Sequence, residues 1–281
     1  MQNTGINRAI SFMLSLIMAM TAFAFTWERR EALVYAADPT FTDISIDTDD
    51  PDKMEQYLTA SGNYRITLKH DISYRIGKKK DEDSPYVETW ITLGSGTKII
   101  DLNGYDIKLT NDRVSPSPSN IQEMYMFGVP EGAELVINDY NNSGEINYNG
   151  ILKSGSPYNR SGYFEQRSLI KVDGGKLTVN GGRLIAGRRG DFSDLGDGLY
   201  YQINGKAVNM TAGTTVINGG VIKSRGLTGP SHAKNAAIWA TGGNIEIWDV
   251  DLIGEGGADV FHLTSDVDIK IYGGLFDVSS N

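Results

Sequence analysis

Apolar residues in this chain recur in short alternating pairs, separated by turns rich in glycine and asparagine. The segment KVDGGKLTVNGGRLIAG at 171–187 holds two such turns, and similar segments return at 209–224, 239–254 and 262–278. Alternation with a period of two is typical of strands that bury one face. Asn-Gly and Gly-Gly supply the positive φ that abrupt bends require. The pattern therefore predicts short strands joined by tight turns.

The turns align six copies of one repeat, each with a first apolar pair, a second pair and a third apolar patch. The first pairs are Ile91/Leu93, Phe127/Val129, Ile170/Val172, Val208/Met210, Ile238/Ala240 and Phe261/Leu263. Because every copy runs in the same order, stacked copies pair like strand with like strand, in parallel. We predict an all-β fold, a right-handed parallel β-helix (solenoid), over residues 91–281. Its predicted interior includes Val172, Val179, Leu184, Met210, Ile217 and Ile247.

Residues 37–90 are predicted to be an N-terminal cap and a first coil, continuous with the repeats. Asp49-Asp50-Pro51 is a helix-start signal, and Met54, Tyr57 and Leu58 then share one face at helical spacing. We expect a short helix that covers the open end of the core, where strand edges need protection. YRITLKHDI at 64–72 would begin the first coil. At the other end, residue 281 directly follows a repeat, and either a longer parent chain or a stacking partner would explain this.

The repeat phrase resembles the secreted, pectin-lyase-like right-handed β-helix proteins of bacteria, over roughly residues 40–281. In that family an asparagine often recurs at the second turn, and the resemblance implies a ladder through the residues at that position, Asn103, Asn138, Asn180 and Asn218. The alternative is that asparagine simply suits a turn. Trp248 and Tyr272 depart from the pattern, so any ladder should end after the fourth copy.

Residues 1–36 are predicted to be a secretory signal peptide. Arg8 precedes an uncharged run over 9–25, and Val34-Tyr35-Ala36 offers a cleavage site with small residues. The alternative is an uncleaved membrane anchor, because the distance from the apolar run to that site is long. A secretory signal places the protein outside the cell or on its surface.

The net charge limits the classes of partner, and the cysteine content limits the disulfides and metal sites. Residues 1–36 carry three basic and two acidic side chains, so the remainder has 23 Lys and Arg against 33 Asp and Glu, a net charge of −10. This argues against nucleic acid and against anionic lipid surfaces as partners. The chain has no cysteine, which excludes disulfides and thiolate metal sites.

The long insertions all fall between the third apolar patch and the next first pair, at 111–124, 153–167, 188–205 and 224–236. Insertions on one face of a repeat fold often mark the binding face, and in the family resembled, loops at this corner wall a groove for extended polysaccharides. The floor would be the outward residues of the first strands, Thr92, Gly128, Lys171, Asn209, Trp239 and His262.

Four of these floor residues, Lys171, Asn209, Trp239 and His262, are predicted to form one exposed column that binds ligand. An outward tryptophan among polar groups suits a stacking platform for a sugar. The alternative is that a loop folds over Trp239 and buries it.

Catalytic and metal candidates lie mainly in the loop RRGDFSDLGDG. Asp191, Asp194 and Asp197 are oxygen ligands suited to calcium, and the resemblance to lyases of this fold implies calcium with a basic residue such as Arg188. Their spacing does not match a calcium-loop pattern, so a solvated loop is the alternative. His262, with His232 in a wall loop, is a candidate for acid–base chemistry.

Two further observations bear on catalysis. Paired carboxylates at Asp249/Asp251 and Asp259 could suit glycoside hydrolysis, but Asp249 falls in the second turn, away from the loop edge. No signature motif of pectate lyases or polygalacturonases occurs.

Two functions of different class therefore stay open. The first is a secreted or surface-displayed module that binds polysaccharide or a surface glycan in the groove. The second is a polysaccharide lyase or glycoside hydrolase that uses Asp191, Asp194, Arg188 or His262. A structural spacer is a third possibility, since fold alone does not decide function.

Overall fold

The computed structural model describes residues 40–76, 91–111, 124–140, 143–148, 164–186, 202–225 and 235–279. Every element described below belongs to one unit, Phe41–Asn281. The predicted signal segment 1–36, the charged stretch 77–85 and most of the four long insertions lie outside the described residues.

The described residues form strands and one helix. The helix is α1 (Pro51–Thr59), and the strands are β1 (Thr42–Ile46), β2 (Tyr64–Leu68), β3 (Ile72–Ile76), β4 (Ile91–Thr92), β5 (Gly96–Asp101), β6 (Ile107–Asn111), β7 (Met124–Pro130), β8 (Ala133–Asn138), β9 (Glu145–Tyr148), β10 (Phe164–Val179), β11 (Arg183–Ala186), β12 (Gln202–Ile217), β13 (Val221–Arg225), β14 (Ala236–Ala240), β15 (Gly243–Ile247), β16 (Asp251–Glu255), β17 (Asp259–Leu263), β18 (Val267–Ile271) and β19 (Leu275–Ser279). The prediction of a β-rich fold with one short helix is confirmed for these residues.

All strand pairs among the described residues are parallel, and each repeat pairs with the next. β14 pairs with β17, β15 with β18 and β16 with β19. A twelve-stranded sheet contains the first and second strands of the repeats, and a seven-stranded sheet contains the third strands. The first and second strands of the repeats share a sheet because β10 and β12 each continue through the first turn. The register between β10 and β12 shifts there, between Val172 and Lys176.

Glycine makes the first turn possible. Gly213 has a φ of 95°, which side chains rarely adopt. A Cβ added there would collide with the backbone oxygen of Gly175, the glycine at the first turn of the preceding repeat. The turns of successive repeats therefore lie against each other closely enough to exclude any side chain.

The predicted interior is confirmed. Val172, Val179, Leu184, Met210, Ile217 and Ile247 are all fully buried, and they belong to one continuous apolar core. The third-patch residues Ile107, Ile146, Ile222 and Leu252 join them. Burial weakens in the last repeat, where Leu263 and Phe276 are substantially exposed. No strand of the described residues pairs with the outer edges of β17, β18 and β19.

The predicted capping helix is also confirmed. Asp50 caps α1 by accepting a hydrogen bond from the Lys53 backbone N–H at 2.9 Å, and Pro51 occupies the first turn. Met54 and Leu58 are fully buried in the core. The strand before the helix was not predicted: β1 pairs in parallel with β2, so the sheet begins before residue 64.

The asparagine ladder forms over three repeats. Asn180 Nδ2 donates to Asn138 Oδ1 at 2.8 Å, and Asn218 Nδ2 donates to Asn180 Oδ1 at 2.7 Å. The prediction for Asn103 is wrong: with a φ of 50°, it directs its amide to the Leu68 carbonyl at 3.2 Å instead.

After Asn218 the ladder is replaced by aromatic residues. Trp248 and Tyr272 stack with ring centroids 4.1 Å apart and an interplanar angle of 12°. The ladder therefore ends after the fourth copy, as predicted.

Within the described ranges, no helix is both long and apolar enough to cross a membrane.

Candidate functional site

The outward residues of the first strands lie side by side. The strand register pairs Thr92 with Gly128, Gly128 with Lys171, Lys171 with Asn209, Asn209 with Trp239, and Trp239 with His262. These six residues, which we call the first-strand column, are spaced about 4.8 Å apart along the stack of strands. The predicted alignment is confirmed, because like positions in successive repeats pair directly.

Trp239 and His262 form the aromatic part of the column. Their rings stack with centroids 3.5 Å apart and an interplanar angle of 13°. Lys206 Nζ lies 4.5 Å from the centroid of the Trp239 ring. Since the stacked imidazole leaves no room for an ammonium group, Lys206 occupies the opposite face of the indole. Both faces of Trp239 are thus covered, and its outward edge remains.

The column is less exposed than predicted. Asn209 is only 3% exposed, while Lys171, Trp239 and His262 are half-buried. The prediction of a fully exposed column is therefore wrong for Asn209. Asn209 lies between Lys171 and Trp239 in the register, so large side chains flank it on both sides.

The Tyr125 ring occupies the space beside Gly128, the column residue that has no side chain. A Cβ added to Gly128 would lie 2.6 Å from a Tyr125 ring carbon, so the ring lies where a side chain would be. Lys171 Nζ lies 5.6 Å from the centroid of the same ring. A cation and an aromatic ring therefore meet at two places along the column, Lys171 with Tyr125 and Lys206 with Trp239.

Lys206 is positioned by the residue before it. The Gly205 N–H donates to Asn235 Oδ1 at 2.7 Å, and the Gly205 carbonyl accepts from Ser224 Oγ at 2.6 Å. Asn235 and Ser224 are both buried. These bonds fix the backbone from which Lys206, itself only 4% exposed, reaches the indole.

Sequence reasoning missed Tyr125 and Lys206. The signal for Tyr125 was the glycine at an outward position, three residues after an aromatic residue. Lys206 gave no signal, because its contact with Trp239 crosses from one strand to the next and depends on side-chain direction.

Several predicted candidates cannot be placed. Arg188, Asp191, Asp194, Asp197 and His232 lie outside the described residues. His70 is exposed near the cap, with Nδ1 2.8 Å from the Asp71 carbonyl oxygen. Over the ranges that the structure describes, no three histidine, aspartate or glutamate side chains converge on a common point that could hold a metal ion.

The remaining acidic candidates lie on different elements. Asp249 lies in the second turn, Asp251 begins β16, and Asp259 begins β17 in the other sheet. All three are exposed. The carboxylate with the clearest partners is instead Glu255, which contacts Lys223 Nζ at 2.7 Å and Arg225 Nε at 3.1 Å. The hydrogen bond from Lys223 is the main reason that the pKa of Glu255 lies below its ordinary value.

No protein-family model matches the chain, and neither the curated proteins nor the solved structures give a match. The chemistry of the first-strand column is therefore inferred from its own contacts.

Proposed function

We propose that residues 41–279 wind as a right-handed parallel β-helix of the pectin-lyase-like kind. Support comes from the parallel pairing of each strand with its counterpart one repeat later and from the glycine turns between strands. Right-handedness follows from the strong preference of parallel crossover connections for that hand.

We further propose that the first-strand column binds polysaccharide or a surface glycan, outside the cell or on its surface. The observation that carries this proposal is the Lys206–Trp239–His262 stack, in which two aromatic rings at outward positions of adjacent strands lie together and a buried cation contacts one of them. Aromatic side chains with an apolar body and a polar edge are suited to sugars, whose rings present C–H faces beside hydroxyl groups.

The covered faces of Trp239 define how a glycan would bind. An extended chain would lie along the outward edges of the column, contacting the rings of Trp239 and His262 and the polar groups of Lys171. Asn209 is buried between them, so its role would be to hold the neighbouring side chains rather than to contact the sugar.

A glycan-cleaving enzyme is the second candidate. His262 supports it, because the ring is half-buried and belongs to the column, where a glycosidic oxygen could reach it. In this alternative the lyase or hydrolase chemistry would require acids or bases from the loop candidates Asp191, Asp194 and Arg188, with calcium where a lyase needs it.

One experiment separates the two candidates. The purified protein is applied to a glycan array, and each glycan that binds is then incubated with it and assayed for reducing ends and for unsaturated products. Binding without product formation supports a recognition module. Product formation identifies an enzyme, and no binding to any glycan contradicts both.

A further inference from the structure

The last repeat exposes an apolar surface that the earlier repeats bury. Its inward-facing and turn residues are solvent-accessible: Tyr272 is 56% and Val278 67% exposed, and Leu263, Ile271, Leu275 and Phe276 are exposed as well. The outer edges of β17, β18 and β19 have no strand partner among the described residues. Exposed strand edges with apolar side chains are sites where another chain pairs.

We propose that a second copy of this chain covers this surface, and that β18 of one copy pairs with β18 of the other in the antiparallel direction. The charges on β18 support this occupant. Its sequence is Val267-Asp268-Ile269-Lys270-Ile271, with Asp268 and Lys270 both exposed. A twofold axis through Ile269 places Asp268 of each copy opposite Lys270 of the other. Opposite charges directly across an antiparallel pair stabilise it.

The same axis also gives the unpaired outer edges of β17 and β19 a partner strand. Phe261 of β17 and Phe276 of β19 pack with ring centroids 5.6 Å apart, so both strands border the same apolar interior as β18. A twofold rotation about the centre of β18 exchanges β17 and β19, and each would then face the other strand of the second copy. Leu263, Phe276 and Val278 would become buried in one interface.

The opposite end of the sheets argues against a filament. β1 and β2 begin the order of the large sheet, and α1 buries Met54 and Leu58 at this end. A head-to-tail contact would pair this covered apolar core with the exposed apolar surface of the last repeat, whereas a twofold contact joins two exposed apolar surfaces and closes on itself. This proposal does not depend on glycan binding.

The first test is the oligomeric state of the purified protein, expressed from the full sequence and measured by analytical ultracentrifugation over a range of concentrations. A dimer is expected. Lys270→Asp places Asp268 of each copy opposite a second carboxylate, at both symmetry-related positions. This should raise the dimer dissociation constant at least about tenfold. The double variant Asp268→Lys/Lys270→Asp restores opposite charges and should recover the dimer. Thr214→Asp, two strands further from the edge and opposite Lys176 in the register, is the control and should leave the dimer intact.

The second test fixes the register. The chain has no cysteine, so a single introduced thiol reports one contact. Ile269→Cys should form a disulfide-linked dimer on oxidation, because the axis places residue 269 of each copy opposite itself. Ile245→Cys, its inward register partner one strand away, should not.

Each other outcome contradicts the proposal. A monomer at every concentration would overturn it. A series of growing oligomers would indicate head-to-tail contacts. A dimer that Lys270→Asp leaves unchanged, with an unaltered circular dichroism spectrum, would place the interface elsewhere.

Discussion

One side-chain position at the second turn is used in two ways along the chain. In three repeats this position is an asparagine, and the side-chain amides of Asn138, Asn180 and Asn218 are joined by hydrogen bonds. In the last two repeats the position is aromatic, and the rings of Trp248 and Tyr272 stack. Both arrangements join like residues of successive repeats, which is the natural consequence of in-register parallel pairing.

The ladder makes a quantitative prediction. Asn180 both donates to Asn138 and accepts from Asn218, so Asn180→Ala removes two hydrogen bonds, whereas Asn218→Ala removes the one bond shown. We expect Asn180→Ala to lower the free energy of unfolding by about 1–2 kcal/mol and Asn218→Ala by roughly half as much. Urea unfolding measures both. Equal losses would mean that the amides contribute as turn formers and not as a ladder.

Glu255 predicts how stability depends on pH. Its pKa is lowered in the folded protein, mainly by the hydrogen bond from Lys223, from an ordinary value of 4.5. Its contribution is therefore fully present above that value and is lost as the pH falls through the folded pKa. Glu255→Gln should be less stable than the wild type at neutral pH and should lose less stability on acidification.

Thermal unfolding at a series of pH values measures this difference. Asn244→Gln on β15, which changes no titratable group, is the control and should keep the acid dependence of the wild type. Parallel curves for wild type and Glu255→Gln would contradict the assigned role of the ion pairs.

The residues that the sequence pattern could predict are those that repeat. Trp239 and His262 were assigned to one column because each lies one residue before the end of a first apolar pair, and the register confirms it. Lys206 and Tyr125 could not be assigned, since their contacts depend on where flexible or bulky side chains turn across neighbouring strands. The prediction that Asn209 is exposed was wrong for the same reason.

At the scale of elements, periodicity and caps were sufficient for most of the fold. Asp50 and Pro51 located the start of α1, and alternation gave the correct phase of the strands. β1 was missed because it is a single short strand before a helix, with no glycine turn to align it with the repeats. Its identity becomes clear only from its pairing with β2.

Strand phase is tested by placing a charge on each face. Val179→Asp and Ile247→Asp introduce an unpaired carboxylate into the core, where both residues are fully buried, and should unfold the protein at ordinary temperatures. Asn244→Lys places a charge at an exposed position on the same strand as Ile247, opposite Asp268 in the register, and should have little effect. Circular dichroism with thermal melting distinguishes the outcomes. Wild-type stability of Val179→Asp or Ile247→Asp would contradict the assigned phase.

At the scale of the molecule, the two aromatic stacks belong to different strand classes. Trp239 and His262 lie on first strands, which adjoin the long insertions, whereas Trp248 and Tyr272 lie at the second turn. The insertions pointed to the first strands from sequence alone, because length variation was confined to one edge. The second stack carried no such signal, since aromatic residues there replace an asparagine without changing the length of the turn.

The most direct test of the proposed glycan site compares the two tryptophans. A glycan that binds the wild-type protein is titrated by calorimetry into Trp239→Ala and into Trp248→Ala. Binding along the first-strand column predicts that Trp239→Ala weakens affinity by about 1–3 kcal/mol, the scale of one large side chain, while Trp248→Ala binds as the wild type does. Unchanged affinity of a folded Trp239→Ala, with the loss found in Trp248→Ala instead, would contradict the site.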